Sequence, residues 1–120
     1  MSERSPVRDW RLHVADMLRF ARRVVDYTAG LDLATFEASP MVYDATIRNI
    51  ELIGEAATRI PEHVREEYHD IPSRQLIATR NRLIHAYLGM DNDILWSIIR
   101  DDVPRLITAL GDIPPGRAGA

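Results

Sequence analysis

The sequence predicts an all-α protein, an antiparallel up-and-down bundle of four to five helices. Apolar residues recur at spacings of three and four along most of the 120-residue chain, as in helices that bury one face. No segment alternates polar and apolar residues over a useful length, so no strand is predicted. The segments that interrupt the helical pattern are short, as in antiparallel bundles. We expect one domain over residues 7–112 and a disordered tail over residues 113–120.

The first predicted helix covers residues 7–29 and ends at Gly30, because glycine often terminates helices. The connecting segment LDLATFEASP follows at residues 31–40, and we expect it to hold one helical turn that starts at Thr35. Phe36 is the largest apolar side chain in this segment. It is predicted to fill the core.

A second long helix is predicted from Pro40 to about Arg59, because proline suits the first turn of a helix and Pro61 stops it. Gly54 interrupts this helix at a cost of roughly 1 kcal/mol relative to alanine. The favoured explanation is that the backbone of another helix approaches closely at Gly54.

Two further helices are predicted before residue 89. Residues 61–70 are charged and are expected to form a short exposed helix. Ser73 is a candidate N-cap for the next helix, which runs from Arg74 to about Leu88 and is closed by Gly89.

The last predicted helix begins after a cap at Asp91 or Asn92. Pro104 lies within this helix. Because proline has no N–H group and its ring crowds the carbonyl of Arg100, we expect the helix to bend there.

The composition is that of an ordinary globular protein with a small negative charge. The chain is 46% hydrophobic and 28% charged, its net charge is −3, and it contains no cysteine. Disulfides and thiolate zinc sites are therefore excluded, and a generally basic surface for nucleic acid is absent. All 15 basic residues are arginine, which suits bidentate contacts with phosphate at a local site. No apolar run reaches the roughly 20 residues of a membrane span, and we expect a cytoplasmic protein with no membrane, metal or cofactor.

The helix over residues 74–88 carries an arginine on its apolar face. At about 100° per residue, Arg80 falls in the middle of the apolar stripe and Tyr87 lies about 20° from it. Asn81 and His85 form a second row on the flank of this stripe, and His85 is about 140° from Arg80. One helix alone does not bring these two rows together. The stripe consists of Leu76, Ile77, Leu83 and Ile84.

A buried guanidinium without a partner is costly, so Arg80 needs an acidic partner or a solvent-filled groove. Candidate partners on the second long helix are Asp44, Glu51 and Glu55. One interpretation is structural, with an Arg80–Glu55 or Arg80–Glu51 pair joining two helices and the other polar residues satisfied in the core. The other interpretation is a functional groove that is completed by another helix or by a second subunit.

The order of the polar residues in RNRLIHAYLGMD, residues 80–91, resembles the R-x4-H-x-Y signature of the HEPN superfamily. More narrowly, the chain resembles the HepT-like (DUF86) family of toxins. The segment IRNIELIGEAA at residues 47–57 and an apolar run that follows Leu-Trp and ends at Pro104 support this. The resemblance covers residues 8–110 and implies an HEPN-like helical bundle.

The resemblance implies a metal-independent endoribonuclease that acts as a homodimer, with the two motif helices at a shared cleft. His85 would be the general base or acid at the ribose 2′-hydroxyl and the leaving oxygen, and Arg80 would bind the scissile phosphate. Asn81 would orient the histidine or the phosphate. Tyr87 would supply a hydroxyl near the cleft.

The family resemblance also implies a partner, a minimal nucleotidyltransferase antitoxin of a type VII-like toxin–antitoxin system. This antitoxin would transfer AMP to Tyr87, giving an O-AMP-tyrosine that blocks the RNA cleft. Two other hypotheses stay open: a non-catalytic HEPN module that binds nucleotide or docks a nucleotidyltransferase, and a purely structural bundle. The presence of Arg80, Asn81, His85 and Tyr87 together favours the nuclease.

Overall fold

Helices make up most of the chain that the structure describes. The computed structural model describes residues 9–86 and 91–113, and for residues 82–86 it describes the backbone only. Within these residues no strand is present, so the prediction of an all-α bundle is confirmed. The elements are α1 (Trp10–Thr28), α2 (Leu33–Glu37), α3 (Pro40–Ala57), α4 (Glu62–Glu67), α5 (Ser73–Ala86), α6 (Asn92–Ser97), a π-helical turn (Ile98–Asp102) and α7 (Val103–Gly111).

Helix α1 begins at a side-chain cap. The Oδ1 atom of Asp9 accepts a hydrogen bond of 2.9 Å from the backbone N–H of Arg11 and satisfies one of the free donors of the first turn. The two residues before Asp9 that the periodicity assigned to this helix lie outside the described residues. The chain leaves the helix through Gly30, whose φ of 76° is in the left-handed region that favours glycine.

Helix α2 begins two residues earlier than predicted because Asp32 and Thr35 form a capping box. Asp32 Oδ1 accepts from the Thr35 backbone N–H at 2.8 Å, and the Asp32 N–H donates to Thr35 Oγ1 at 2.9 Å. The hydrogen bonds from Thr35 lower the pKa of Asp32. Thr35 is therefore the third residue of the helix and not its first. Phe36 is completely buried, as predicted.

The hydrophobic core lies where α1, α3 and the last helical region meet. Helix α1 packs on α3 and α7, whereas α5 packs on α3. Ile113, the first residue of the tail predicted to be disordered, is also buried, with 8% of its surface exposed. Among the described helices, none is both long and apolar enough to cross a membrane. The main core residues are Val14, Met17, Ala21, Val24, Ile50, Ile53, Ala57, Leu95, Ile99, Val103, Leu106 and Leu110.

The prediction that Ser73 caps α5 is wrong. Ser73 is the first helical residue, and its buried hydroxyl has no hydrogen-bond partner in the described parts of the chain. The carbonyl of Pro72 already accepts the first helical hydrogen bond, from the N–H of Leu76 at 2.9 Å. Helix α5 therefore starts one residue earlier than the cap predicted.

Asp91 caps α6, and Asn92 is the first helical residue. The Asp91 Oδ1 atom accepts a hydrogen bond of 2.8 Å from the backbone N–H of Asp93. Of the two candidate caps in the sequence, the one with the carboxylate holds this position.

The bend expected at Pro104 stays a prediction, and the structure has a π-helical turn immediately before α7. In this turn the N–H of Val103 donates to the carbonyl of Ile98, five residues earlier. Pro104 lies in the first turn of α7, where its missing N–H costs least. The chain thus restarts an α-helix at the proline.

Candidate active site on the motif helix

Helix α5 meets α3 at Gly54, which is buried. A Cβ atom added to Gly54 would clash with the Arg80 Cβ, and it would lie 2.7 Å from the carbonyl oxygen of Leu76 and 3.1 Å from the Arg80 Cγ. Only glycine leaves room for this approach. The explanation favoured for Gly54 in the sequence is therefore confirmed, and the aliphatic stem of Arg80 lies directly against α3.

The guanidinium of Arg80 sits at the edge of this contact. Its Nη1 donates to the side-chain Oδ1 of Asn81 at 2.9 Å, and its Nη2 lies 3.9 Å from the Oε2 of Glu55. The Arg80 side chain is 29% exposed and that of Glu55 is 47% exposed. Arg80 is therefore neither sealed in a core nor fully solvated, and the ion pair contributes about 0–1 kcal/mol to stability.

The Nε–Nη2 side of Arg80 has no close hydrogen bond among the described residues. The Nε atom is buried and has no hydrogen-bond partner among the described residues. Nε and Nη2 form the side of a guanidinium that commonly contacts a carboxylate or phosphate with two parallel hydrogen bonds. At 3.9 Å, Glu55 does not make such a contact.

The structure decides between the two acidic residues proposed as partners. Glu51 lies one turn before Glu55 on α3, but its Oε1 is 3.5 Å from the Nη1 of Arg48 on the same helix. Arg80 pairs with Glu55. The structural interpretation of Arg80 is thus supported in its pairing, although the arginine is half-buried and not enclosed.

The predicted site residues are only partly described. Arg80 and Asn81 are hydrogen-bonded to each other, and Asn81 is exposed. Asn81 was expected to orient a histidine or a phosphate, and here its amide oxygen accepts from Arg80. His85 lies within α5, but its side chain is outside the described residues, as is all of Tyr87. The roles of these four residues remain predictions.

A separate groove of about 270 Å³ opens between α5, α3 and α7. Leu76 and Thr79 of α5, Ile53 of α3 and Leu106 of α7 are among the residues that line it. Arg80 and Asn81 do not line this groove, so it is not the cleft predicted from the motif. In the described parts of the chain, no group of three or more His, Asp or Glu residues could hold a metal ion.

Sequence reasoning missed a polar network at the start of α6. The Tyr43 hydroxyl donates to Asn92 Oδ1 at 2.7 Å, and Asn92 Nδ2 donates to Glu37 Oε2 at 2.9 Å. Burial, followed by the negative charge of Glu37, raises the pKa of Tyr43. Through these two hydrogen bonds, Glu37 of α2 and Tyr43 of α3 are joined to Asn92, the first residue of α6. The bonded residues of this network are about 50 residues apart in sequence, so no local pattern could reveal it.

An all-α bundle in which one helix carries Arg80, Asn81 and His85 in this order fits an HEPN-type protein. The chain belongs to the ribonuclease HepT-like family, whose model matches residues 17–113. Only the first 16 and the last seven residues lie outside this match.

Relatives in more than one organism are similar over about four fifths of the chain. "Putative RNase MJ1380" of Methanocaldococcus jannaschii is 36% identical over 99 residues, 82% of this chain and 91% of that protein. "Putative RNase MJ0125" of the same organism is 33% identical, over 84% of this chain and 87% of that protein. "Probable ribonuclease HepT" of Thermococcus cleftensis is 31% identical, over 78% of this chain and 86% of that protein. No solved structure matches the chain significantly.

Proposed function

We propose that the protein is a metal-independent endoribonuclease in which Arg80 and His85 are the catalytic residues. The observation that carries this proposal is the partly exposed side chain of Arg80, whose stem lies against α3 and whose Nη2 is 3.9 Å from Glu55 without a close hydrogen bond. Membership of the ribonuclease HepT-like family supports the same activity. A guanidinium whose donors lack close partners can donate hydrogen bonds to a phosphate oxygen.

The proposed reaction is an attack of the ribose 2′-oxygen on the adjacent phosphorus. His85 takes the proton of the 2′-hydroxyl, and Arg80 stabilises the negative charge that develops on the phosphate oxygens. The bond from phosphorus to the 5′-oxygen breaks, and this oxygen takes up the proton that His85 accepted. The products are a 2′,3′-cyclic phosphate and a 5′-hydroxyl end, so neither water nor a metal ion is needed for this step.

The proposed cleft lies between two copies of the chain. Arg80 and the predicted position of His85 are about 140° apart around one helix, so a single α5 does not bring both onto one substrate. Asn81 is exposed on α5. Two copies facing each other there would double the local positive charge while the chain keeps its net charge of −3.

We further propose that a nucleotidyltransferase antitoxin inactivates the nuclease by modifying Tyr87. The tyrosine oxygen forms a bond to the α-phosphorus of ATP, pyrophosphate leaves, and the hydroxyl proton is released. The added adenylate brings negative charge and bulk next to the proposed RNA site. Intact-mass measurement after incubation with ATP and a cognate transferase should show an added AMP that Tyr87→Phe abolishes. Modification that persists in Tyr87→Phe would refute the assignment of this residue.

The nuclease proposal is tested with single substitutions and a matched histidine control. His85→Ala and Arg80→Ala should each lower RNA cleavage by about 10²-fold or more, because general acid–base catalysis alone contributes about 10²–10⁴-fold. His63→Ala, at an exposed position in α4, should cleave like the wild type. Purified proteins are compared on labelled RNA in the presence of EDTA, and the cleavage ends are identified by mass spectrometry.

The second candidate is a non-catalytic HEPN module that binds nucleotide or docks a nucleotidyltransferase. The pairing of Arg80 with Glu55 favours it, because the arginine then has a structural partner without any RNA. If wild type and His85→Ala are equally inactive on RNA and equally harmless in cells, this second candidate replaces the nuclease.

A further inference from the structure

We propose that Glu55 is a positioning residue for Arg80, and that it sets the place of the guanidinium across the α3–α5 contact before RNA binds. This inference rests on the proposed nuclease function. Glu55 is not assigned any contact with substrate. Its proposed role is to restrict where Arg80 meets the phosphate.

The contacts of Arg80 divide into a local one and a tertiary one. Asn81 is the next residue in the chain, so its hydrogen bond to Nη1 moves with α5 and cannot fix the guanidinium relative to the rest of the fold. Glu55 belongs to α3, and its carboxylate 3.9 Å from Nη2 is the acidic group that ties the guanidinium to another helix. The direction of Arg80 in the bundle is therefore set from α3.

Gly54, next to Glu55 in the sequence, makes this arrangement possible. Because it has no Cβ, the stem of Arg80 can lie against the α3 backbone. The stem is then held at one end by Gly54, and the guanidinium is restrained at the other by Glu55. Arginine is a long side chain with many rotamers, so two restraints along it reduce its freedom before substrate arrives.

The geometry favours positioning over stabilisation. The pair is separated by 3.9 Å and both side chains are partly exposed, so its removal should change folding stability little. The pair with Glu55 also leaves the buried Nε of Arg80 without a hydrogen-bond partner among the described residues. Because Nη2 is 3.9 Å from Glu55 and makes no close hydrogen bond to it, a phosphate oxygen can approach Nη2 without first breaking such a bond.

The test compares Glu55 with Glu51, which lies one turn away on the same helix and pairs with Arg48. Glu55→Ala should lower kcat by about tenfold, while KM changes by less than about threefold, because misplacement of a positioned group chiefly affects the chemical step. Glu55→Asp should recover part of kcat. Glu51→Gln should behave like the wild type, and thermal unfolding should show that all three variants are folded.

A readout that does not depend on activity accompanies the kinetics. Side-chain NMR relaxation at the Arg80 Nε should show an ordered guanidinium in wild type and Glu51→Gln, and a mobile one in Glu55→Ala. Unchanged Arg80 order in Glu55→Ala would overturn the inference. So would a lower KM with unchanged kcat, since Glu55 would then compete with phosphate.

The two proposals fail in different ways. An inactive wild type, indistinguishable from His85→Ala, counts against the nuclease and leaves the NMR comparison to decide the role of Glu55. An active wild type with a fully active Glu55→Ala counts against the role of Glu55 and leaves the nuclease standing.

Discussion

Helix α3 packs on α1 and on α5 in very different ways. Helix α1, which packs on α3, contributes completely buried apolar side chains such as Met17, Ala21 and Val24 to the core. Where α5 packs on α3, the contact passes through Gly54 and the half-buried Arg80. The packing of α1 on α3 buries apolar area, whereas the packing of α5 on α3 places a charged group at the edge of the contact. Stability and the proposed activity should therefore respond to different substitutions.

The largest effect on stability is expected from the apolar interface. Met17→Ala removes a completely buried side chain and should lower the free energy of unfolding by about 2–5 kcal/mol, because the transfer and cavity terms add. Urea unfolding measures this loss. RNA cleavage per folded molecule should stay at the wild-type level, and a large loss there would show that the two interfaces are not separable.

A smaller loss of stability, with a larger loss of cleavage, is expected at the polar interface. Gly54→Ala forces α3 and α5 apart or moves Arg80, and overpacking of this kind costs about 1–3 kcal/mol. Cleavage per folded molecule should fall, because the guanidinium shifts with its stem. Gly111→Ala is the control, since a Cβ at Gly111 meets nothing within 4 Å; it should be neutral or slightly stabilising.

The smallest effect is expected away from both interfaces, at the network of Tyr43, Asn92 and Glu37. Tyr43→Phe removes the 2.7 Å hydrogen bond to Asn92 and should cost about 1 kcal/mol at neutral pH.

The same residue predicts a pH dependence. The raised pKa of Tyr43 means that the folded protein keeps the phenolic proton at pH values where the unfolded chain, with a pKa near 10.0, has lost it. This stabilisation is complete below pH 10.0 and is lost as pH rises through the folded pKa. Urea unfolding between neutral and alkaline pH should therefore show a steeper decline for wild type than for Tyr43→Phe. If the free energy of unfolding falls equally with pH in wild type and Tyr43→Phe, the proposed contribution of Tyr43 is contradicted.

Local signals in the sequence were sufficient for the helices and misleading at some of their ends. Apolar spacing predicted α1, α3 and α5, because a helix needs only its own residues to form its hydrogen bonds. The start of α2 was missed by two residues because Thr35 is half of a capping box with Asp32. Ser73 was assigned a capping role that the carbonyl of Pro72 fills.

The candidate site was predictable in its residue types but not in its contacts. At about 100° per residue, the sequence predicts Arg80 within the apolar stripe of the helix and Asn81 on its flank. In the structure Arg80 is half-buried and Asn81 is exposed. The choice of Glu55 over Glu51 could not be made from spacing, because both face the same general direction one turn apart on α3. That choice depends on how deeply α5 sits against Gly54.

The sequence by itself determined that this is an all-α protein of the ribonuclease HepT-like family, since periodicity and motif order are properties of the chain alone. Only the tertiary structure decided which carboxylate faces Arg80, that Gly54 is the point of closest approach, and that Tyr43 and Asn92 meet. The physical reason is the separation in sequence between the residues that interact. Helical hydrogen bonds and caps join residues within about five positions, whereas these contacts join residues about 25–50 positions apart and form only when helices pack.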